Sequence, residues 1–572
     1  MLVLLAAALL AQNSAQTASN APPNLAANTT QADPPTLVAR LGHTKGDVSF
    51  MPVGTTDWAA GINNYPMKSG DRVFCDKDAH AEIDAGSTDV RLWESTDATL
   101  TNITNQYEQI GLAQGSIRVR IYSLDTGASV EVDTPNGAAV ITQPGDYRFD
   151  IFPGDAGAGA IVTSGGLQIT GSGGLNQAVT AGQAVQMTGK DPIQVTATNL
   201  PATDALDQWS TSRDQEVVSS QSAAYVSHDT PGYADLDKAG SWETTTDNGP
   251  IWYPTTVDPD WTPYSVGRWA YVAPWGYTWV DAASWGYATS HYGRWAYIGG
   301  RWGWAPGPPA VAPVYSPALV AFVGNPGMSI GASVGVTAWF PLGVGEPYVP
   351  WYHASPAYAQ QVNVTNVNVA NIHNTTIVNN YNNYIANTRT ASNINQIDTG
   401  NIQYANRAQV TAVPAAAMSS GRSVPKTAVP LTPEMKQQLA TAPVHVAPTT
   451  PAPAAQSLLR PRPNVPAPAA RPTLVTPHGL APATPAANPA HPGIASHAAA
   501  TQPAMAGYRP PAPSSRTNQA LAAPSRPYPA FAYAPQAQPA SSTKAGTSSK
   551  PPKPPKHKSP PAPPKKEEEH KP

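Results

Sequence analysis

The chain has 572 residues, with 34 Lys and Arg against 37 Asp and Glu, so its formal net charge is −3. Charge and proline are unevenly distributed. Residues 411–572 hold 36 of the 63 prolines and 17 Lys and Arg against 4 Glu, a net +13, whereas residues 1–410 carry −16. This balance does not argue for a dedicated nucleic-acid-binding domain, and we predict no nucleic-acid partner. The single cysteine excludes an internal disulfide framework and a cysteine-based metal site.

The N-terminus predicts export. Leu2 to Ala11 is an apolar run of Leu, Val and Ala that is too short to span a bilayer but suits the hydrophobic part of a signal peptide. We therefore expect a signal peptide over residues 1–20, a linker over 21–36, and a periplasmic, secreted or cell-envelope location. The alternative is a merely apolar N-terminus. The sequence predicts no transmembrane span elsewhere.

Residues 37–190 predict an all-β domain. Short β-branched or alternating segments, such as Asp47-Val-Ser-Phe50 and Ala128-Ser-Val-Glu-Val-Asp133, are separated by turn residues every eight to twelve positions or so. Residues 191–239 then predict a helical bridge. Its helix falls within residues 201–230, with Thr203 or Asp204 as the N-cap.

Motifs in the β region resemble those of FecR-type domains. They include Gly46-Asp-Val-Ser, Met67-Lys-Ser-Gly-Asp71, Val132-Asp-Thr-Pro-Asn-Gly137 and Pro144-Gly-Asp-Tyr-Arg-Phe149. The resemblance implies a β fold in a signal relay, where a cytoplasmic segment controls a sigma factor and the β domain senses a signal outside. This sequence departs from that plan, because we expect only a signal peptide and a linker before Leu37. A regulatory protein lacking the cytoplasmic anti-sigma segment therefore stays an alternative function.

Residues 240–352 form an aromatic module with 12 of the 15 tryptophans and 10 of the 23 tyrosines. The segment Gly267-Arg-Trp-Ala-Tyr-Val272 recurs 26 residues later as Gly293-Arg-Trp-Ala-Tyr-Ile298, which indicates one supersecondary unit used twice. The repeated Trp-Gly and Gly-Arg-Trp motifs resemble a bacterial envelope family of unknown function. That resemblance implies no particular ligand.

Turn residues predict a hairpin in each repeat. In the first, Ala273-Pro-Trp-Gly276 suits a three-residue loop with a left-handed Gly276, which sets Tyr271 opposite Trp279. In the second, two glycines at 299–300 suit a two-residue turn. That turn sets two pairs opposite each other, Tyr297 with Trp302 and Trp295 with Trp304.

Both registers collect large rings on one face, and two interpretations remain open. The rings could form a small β core, or they could form an exposed stacking platform for sugars or peptides. The partners of a platform would be cell-wall or envelope polysaccharide, or an envelope protein. The candidate binding residues are Trp269, Tyr271, Trp279, Trp295, Trp302 and Trp304.

The rest of the chain is polar or rich in proline. Residues 353–410 are an Asn-rich extension in which Val362-Asn-Val364 and Val367-Asn-Val369 alternate like strands, which predicts a polar β extension or a disordered tract. Residues 411–572 predict a disordered, basic tail that acts as a polyproline spacer and contacts anionic polymers.

Few residues suggest chemistry. Gly331-Ala-Ser333-Val-Gly335 matches the G-x-S-x-G nucleophile elbow, but the strand-like segment 336–341 follows where a helix is required. His291 is expected to hydrogen-bond within the aromatic module. Four acidic residues of a hairpin are interpreted as a solvated edge: Asp76, Asp78, Glu82 and Asp84.

Taken together, the sequence predicts a mainly β, exported envelope protein with a structural or ligand-binding role. We predict no catalysis, no cofactor and no metal site. The alternatives are a FecR-type regulatory protein and an uncharacterised hydrolase.

Overall fold

A computed structural model describes residues 32–154, 156–324, 327–330, 333, 335–393, 402–448, 450 and 452. The predicted signal peptide, most of the linker and the tail beyond residue 452 lie outside these described residues. Within them the fold is mainly β, as predicted, with 27 strands and six α-helices.

The β domain has seventeen strands and continues past its predicted end at residue 190. The strands are β1 Ala39–Lys45, β2 Val48–Met51, β3 Ala59–Ala60, β4 Tyr65–Met67, β5 Arg72–Cys75, β6 His80–Asp84, β7 Thr88–Leu92, β8 Thr96–Ile103, β9 Tyr107–Ile121, β10 Ser129–Asp133, β11 Ala138–Ile141, β12 Gly145–Ile151, β13 Ala158–Ser164, β14 Gly166–Gly171, β15 Leu175–Thr180, β16 Gln183–Thr188 and β17 Gln194–Thr198.

Strand β9 organises the β domain because its two halves belong to different sheets. Its second half pairs with β7 and β12 in the first sheet, ordered β4-β1-β6-β7-β9-β12-β13-β16-β17. Its first half pairs with β8 and, in parallel, with β10 in the second sheet, ordered β3-β2-β5-β8-β9-β10-β11-β14-β15. Gly115 lies at the change with a φ of 83°, where a side chain would be strained and would meet Thr96. The two sheets share one hydrophobic core.

Helix α1 (Ala205–Val218) confirms the predicted helix. It begins after Asp204, one of the two predicted caps. The Asp204 carboxylate accepts from the N–H of Asp207 at 3.0 Å, and the Asp207 carboxylate accepts from the N–H of Asp204 at 3.0 Å. This reciprocal pair is a capping box. The fully buried residues of the helix are Leu206 and Ser210, so a broad apolar face is not what holds it in place.

The aromatic module adds eight strands and one helix. They are β18 Gly240–Thr245, β19 Gly249–Pro254, β20 Gly267–Val272, β21 Gly276–Asp281, α2 Gly286–His291, β22 Arg294–Ile298, β23 Arg301–Ala305, β24 Val320–Val323 and β25 Val336–Pro341. Strands β18, β19, β23 and β22 form a four-stranded sheet in that order, and β20 pairs with β21 alone.

The Asn-rich extension contains two α-helices, and over these helices both predicted alternatives are wrong. It forms α3 (Pro356–Asn366) and α4 (Thr375–Thr390). Side-chain caps begin both helices: Ser355 accepts from the N–H of Tyr358 at 3.1 Å, and Asn374 accepts from the first turn of α4. Polar caps and buried amides, which the strand-like Val-Asn alternation concealed, favour the helices.

The predicted disorder from residue 411 is wrong as far as residue 445. This segment forms β26 Thr411–Pro414, α5 Ala415–Ser419, α6 Pro433–Thr441 and β27 Val444–His445. Strand β26 pairs with β25, and β27 pairs with β24, so the segment supplies both edges of a four-stranded sheet. Its apolar side chains Val413, Met418 and Leu439 are buried, and the average composition of the long tail had hidden them.

Candidate functional site

The second repeat forms the predicted hairpin. Trp295 lies opposite Trp304, and Tyr297 lies opposite Trp302. The two glycines of the turn at 299–300 have φ values of 57° and 83°, as the predicted turn requires.

Neighbouring strands extend this pairing into a row of four tryptophans, which we call the tryptophan row. Trp242 pairs with Trp252, Trp252 with Trp304, and Trp304 with Trp295. Directly paired residues project from the same face of a sheet, so the four indoles are neighbours. Trp252 and Trp304 are fully buried. The buried Trp304 Nε1 donates to the carbonyl oxygen of Tyr292 at 2.9 Å.

The first repeat also forms a hairpin, but its register differs by two residues from the prediction. Tyr271 lies opposite Tyr277, and Trp279 lies opposite Trp269. Gly276 has the expected positive φ of 79°, but it belongs to the first pair of the ladder instead of the loop. Because the shift is even, the rings stay on the predicted face.

The six candidate binding rings are largely core residues. Trp269, Trp279 and Trp304 are fully buried, Trp295 and Trp302 are nearly so, and Tyr271 is half-buried. The two hairpins belong to different sheets, so the six rings do not form one face. This burial contradicts the exposed-platform interpretation. Residues beyond 352 contact the module, since Asn406 Nδ2 donates to the carbonyl oxygen of Trp295 at 2.8 Å.

A layer of charged residues lies on one face of the first sheet, and the sequence analysis missed it. Strands β6, β7, β9 and β12 each carry charged side chains two residues apart, a spacing that places them on one face. We define the charged layer as Arg40, Glu82, Asp84, Asp89, Arg91, Arg118, Arg120, Asp146, Arg148 and Asp150. Glu82 and Asp84, predicted as part of a solvated edge, are 1% and 8% exposed. That prediction is wrong because helix α1 and its neighbours cover this face.

Ion pairs connect the charged layer to α1. Arg213 of α1 donates to both oxygens of Glu82, at 3.1 and 2.7 Å, and Arg91 Nη1 donates to Asp214 of α1 at 2.6 Å. Burial opposes ionisation of Glu82, but Arg91 and Arg213 outweigh it and hold the pKa of this carboxyl below its ordinary value. Two further pairs reach the first turn of the helix: Arg118 with Asp207, and Arg148 with Asp204.

Arg40 joins the β domain to the aromatic module. Its Nε donates to Asp84 at 3.0 Å, and its Nη2 donates to Asp235 of the bridge at 2.6 Å. Its Nη1 donates to the carbonyl oxygen of Ser284, after β21, at 3.4 Å. Its neighbour Asn64 donates from Nδ2 to the carbonyl oxygen of Ala283 at 2.6 Å, after β21. The cleft beside Arg40 leaves about 10 Å³ for the centre of a water molecule, which is room for one water. These groups are engaged in holding the structure together.

Four rings lie between the first sheet and α1, and we call them the His–Trp stack. His80 lies parallel to Trp93, with ring centroids 5.1 Å apart and an interplanar angle of 9°. Its ring is also 5.6 Å from His43 and 4.4 Å from Trp209 of α1. His80 is buried, and the other three rings are half-buried. His43 and His80 show no ligand spacing in the sequence, and their distance from Trp209 along the chain hides the contact between the rings.

The other candidate residues from the sequence, His291 and Ser333, lie in surroundings that assign them structural roles. His291 Nδ1 lies 2.8 Å from the carbonyl oxygen of Ser316, as the expected hydrogen bond within the module requires. Burial lowers the pKa of His291 to about 3. Ser333 forms an isolated bridge with Ile330, and the predicted strand β25 follows, so the nucleophile-elbow motif lacks its helix.

In the described part of the chain, no group of three or more His, Cys, Asp and Glu could hold a metal ion. None of the helices described there is long and apolar enough to cross a membrane.

Comparison with known proteins matches part of the chain. Residues 233–346, which include most of the aromatic module, match a family described as a family of unknown function (DUF6600). Two crystal structures of a candidate anti-sigma factor from Parabacteroides distasonis ATCC 8503, at 2.50 and 1.65 Å resolution, are weakly similar at 14% identity and a TM-score of 0.21 each. The matches cover 23% and 25% of this chain and 60% and 64% of those chains, less than two thirds of their length. No curated protein matches the chain.

Proposed function

We propose that this is an exported, non-catalytic protein of the cell envelope, in which the β domain and the aromatic module act as one structural unit. The observation that carries the proposal is the position of Arg40. This side chain is 2% exposed and binds Asp84 of the β domain and Asp235 of the bridge. Its Nη1 also donates to the carbonyl oxygen of Ser284 in the aromatic module at 3.4 Å. A buried guanidinium with two carboxylates is costly to separate from either, so the two parts move together.

Export is supported by the apolar run from Leu2 to Ala11 and by the low content of charged residues, 12%. Contact with anionic envelope polymers is assigned to the basic residues beyond 452, since each basic group near an anionic surface contributes roughly 1 kcal/mol. The six aromatic rings are assigned to the core. This leaves polysaccharide contact to the tail.

The test is cell fractionation of the full chain and of a variant deleted from residue 453. The deletion must begin there because β26 and β27 complete a sheet of the module. We expect the full chain in the envelope fraction with a processed N-terminus, released by salt. The deletion variant should melt like the full chain and lose the salt-sensitive association. A cytosolic chain with an intact Met1, or unchanged association after deletion, would contradict the proposal.

A second candidate function is a signalling role related to FecR-type relays. The ion-paired docking of α1 on the β domain favours it, because a helix held by polar contacts can be released by a change in its surroundings. A strain lacking the protein distinguishes the two. A relay predicts altered transcription of a small gene set, whereas a structural role predicts sensitivity to detergents and envelope stress.

A further inference from the structure

The contact between α1 and the β domain has an unusual composition. The fully buried side chains of the helix are Leu206 and Ser210. Its other contacts include ion pairs at both ends, Val217 against the hydrophobic core, and Trp209 against the other three rings of the His–Trp stack. The two histidines therefore lie where they can influence the docking of the whole helix.

We propose that the His–Trp stack is an acid-sensitive latch. Protonation of His43 and His80 places two positive charges side by side among indole rings and releases helix α1 from the first sheet. The geometry carries the inference: the two imidazoles are 5.6 Å apart, and the indole of Trp209 lies within 6 Å of both.

Charged groups from every neighbouring element bear on the stack. Lys45 of β1 lies opposite His80 in the ladder and opposes its protonation, as does His43. Around His43, Arg213 opposes protonation, whereas three carboxylates favour it: Glu82 of β6, Glu216 of α1, and Asp235. The carboxylates already have cationic partners, since Glu82 and Glu216 pair with Arg213 and Asp235 with Arg40.

The direction of the pH effect follows from burial. Burial, with His43 and Lys45, lowers the pKa of His80 to about 4, and burial with Arg213 lowers the pKa of His43. A histidine freed from the stack titrates near its ordinary value of about 6.5. The docked state therefore prefers neutral histidines. Their contribution to docking is complete above about pH 6.5 and is lost as the pH falls towards 4.

Two carboxylates in the ion pairs of the helix, those of Asp207 and Glu82, titrate in a lower pH range than the histidines. The pKa of Asp207 is held below its ordinary value, because the hydrogen bond from the N–H of Asp204 and the charges of Arg148 and Arg118 outweigh the effect of burial. The pKa of Glu82 is also lowered. These two carboxylates stay ionised while the histidines gain protons, so the histidines titrate first.

Hydrogen exchange on the full chain tests the latch at about pH 7 and about pH 4.5, after correction for the intrinsic exchange rate. We expect protection of residues 205–218 to fall by at least about tenfold at the lower pH. Strand β13 should stay protected at both values and serves as the internal reference. In the double variant His43→Phe/His80→Phe, which keeps rings but cannot be protonated, protection of α1 should not depend on pH.

The matched control is His373→Phe, since His373 is exposed in the loop before α4, and this variant should behave like the parent. Unchanged protection of α1 in the parent at low pH would overturn the proposal. So would an equal loss in the double variant, because carboxylates would then be responsible. If the double variant does not fold, His80→Gln replaces it and should show a clearly weaker pH dependence than the parent.

Discussion

The charged layer and the tryptophan row are both largely buried, but different interactions stabilise them. The tryptophan row gains free energy in proportion to the apolar surface it removes from water, about 25 cal/mol per Å². Burying the charged layer costs free energy, because each ion must give up its hydration. Arg91, at 1% exposure, recovers that loss through contacts with Glu82, Asp89 and Asp214.

The difference decides what each region tolerates. A neutral ring can be removed without leaving a charge behind, so the cost is set by lost contacts and by the cavity. A buried guanidinium cannot, because its carboxylates stay in place without a partner. The charged layer is therefore sensitive to pairing and to pH, whereas the tryptophan row is sensitive to volume. A buried sheet face can be built in either way.

The largest effect is expected for Trp304→Ala in the tryptophan row. Its indole is fully buried between Trp252 and Trp295 in the row, so truncation leaves a large cavity. We expect a loss of about 3–5 kcal/mol in the free energy of unfolding, measured by denaturant titration. The matched control is Tyr297→Ala on the same hairpin, because Tyr297 is 49% exposed and should cost far less. Equal losses in the two variants would contradict the assignment of Trp304 to the core.

The second-largest effect is expected for Arg91→Leu, which leaves three carboxylates without their common cationic partner. We expect a loss of about 3 kcal/mol at neutral pH. The loss should shrink at acid pH, because burial, with Glu82, raises the pKa of Asp89 and favours its neutral form. The Trp304→Ala loss should not change in this way. Arg422→Leu is the control, since Arg422 is exposed. A loss that is independent of pH would show that Arg91 acts mainly through packing.

Much of the fold could be predicted because it depends on local signals. Turn glycines and β-branched runs located the strands of the β domain, and Asp204 marked the start of α1. The hairpin at 299–300 was correct to the residue because two adjacent glycines allow few turns. The predicted register of the first hairpin was wrong by two residues, because a loop that contains Pro-Trp-Gly can close with more than one pairing of the two strands. The Asn-rich helices and the sheet edges from residues 411–445 depend on tertiary partners, which composition does not reveal.

The candidate site was harder to predict, because it also depends on contacts between residues that are far apart in the sequence. Alternating hydrophobic residues were correctly interpreted as strands with one buried face. Alternating charged residues were interpreted as a solvent-exposed face, although in the structure that face is buried. The spacing in Asp89 and Arg91, and in Asp146, Arg148 and Asp150, is the signal that could have revealed the charged layer. Strand alternation shows which residues share a face and leaves open what covers it. The His–Trp stack gave no such signal, because Trp209 lies far along the chain from His43 and His80.

The smallest effect is expected at an exposed pair that resembles the buried ones in chemistry alone. Arg301 donates to Glu243 at 2.5 Å, and its guanidinium carbon lies 3.9 Å from the ring centroid of Tyr253. The two charged side chains are 55% and 44% exposed. Water and salt screen such a pair, so a double-mutant cycle with Arg301→Ala and Glu243→Ala should give a coupling below about 1 kcal/mol. The same cycle on Arg91 and Glu82 should give a larger coupling that survives high salt, because those groups are shielded from ions. Equal couplings, or equal salt sensitivity, would mean that burial does not separate the charged layer from the surface.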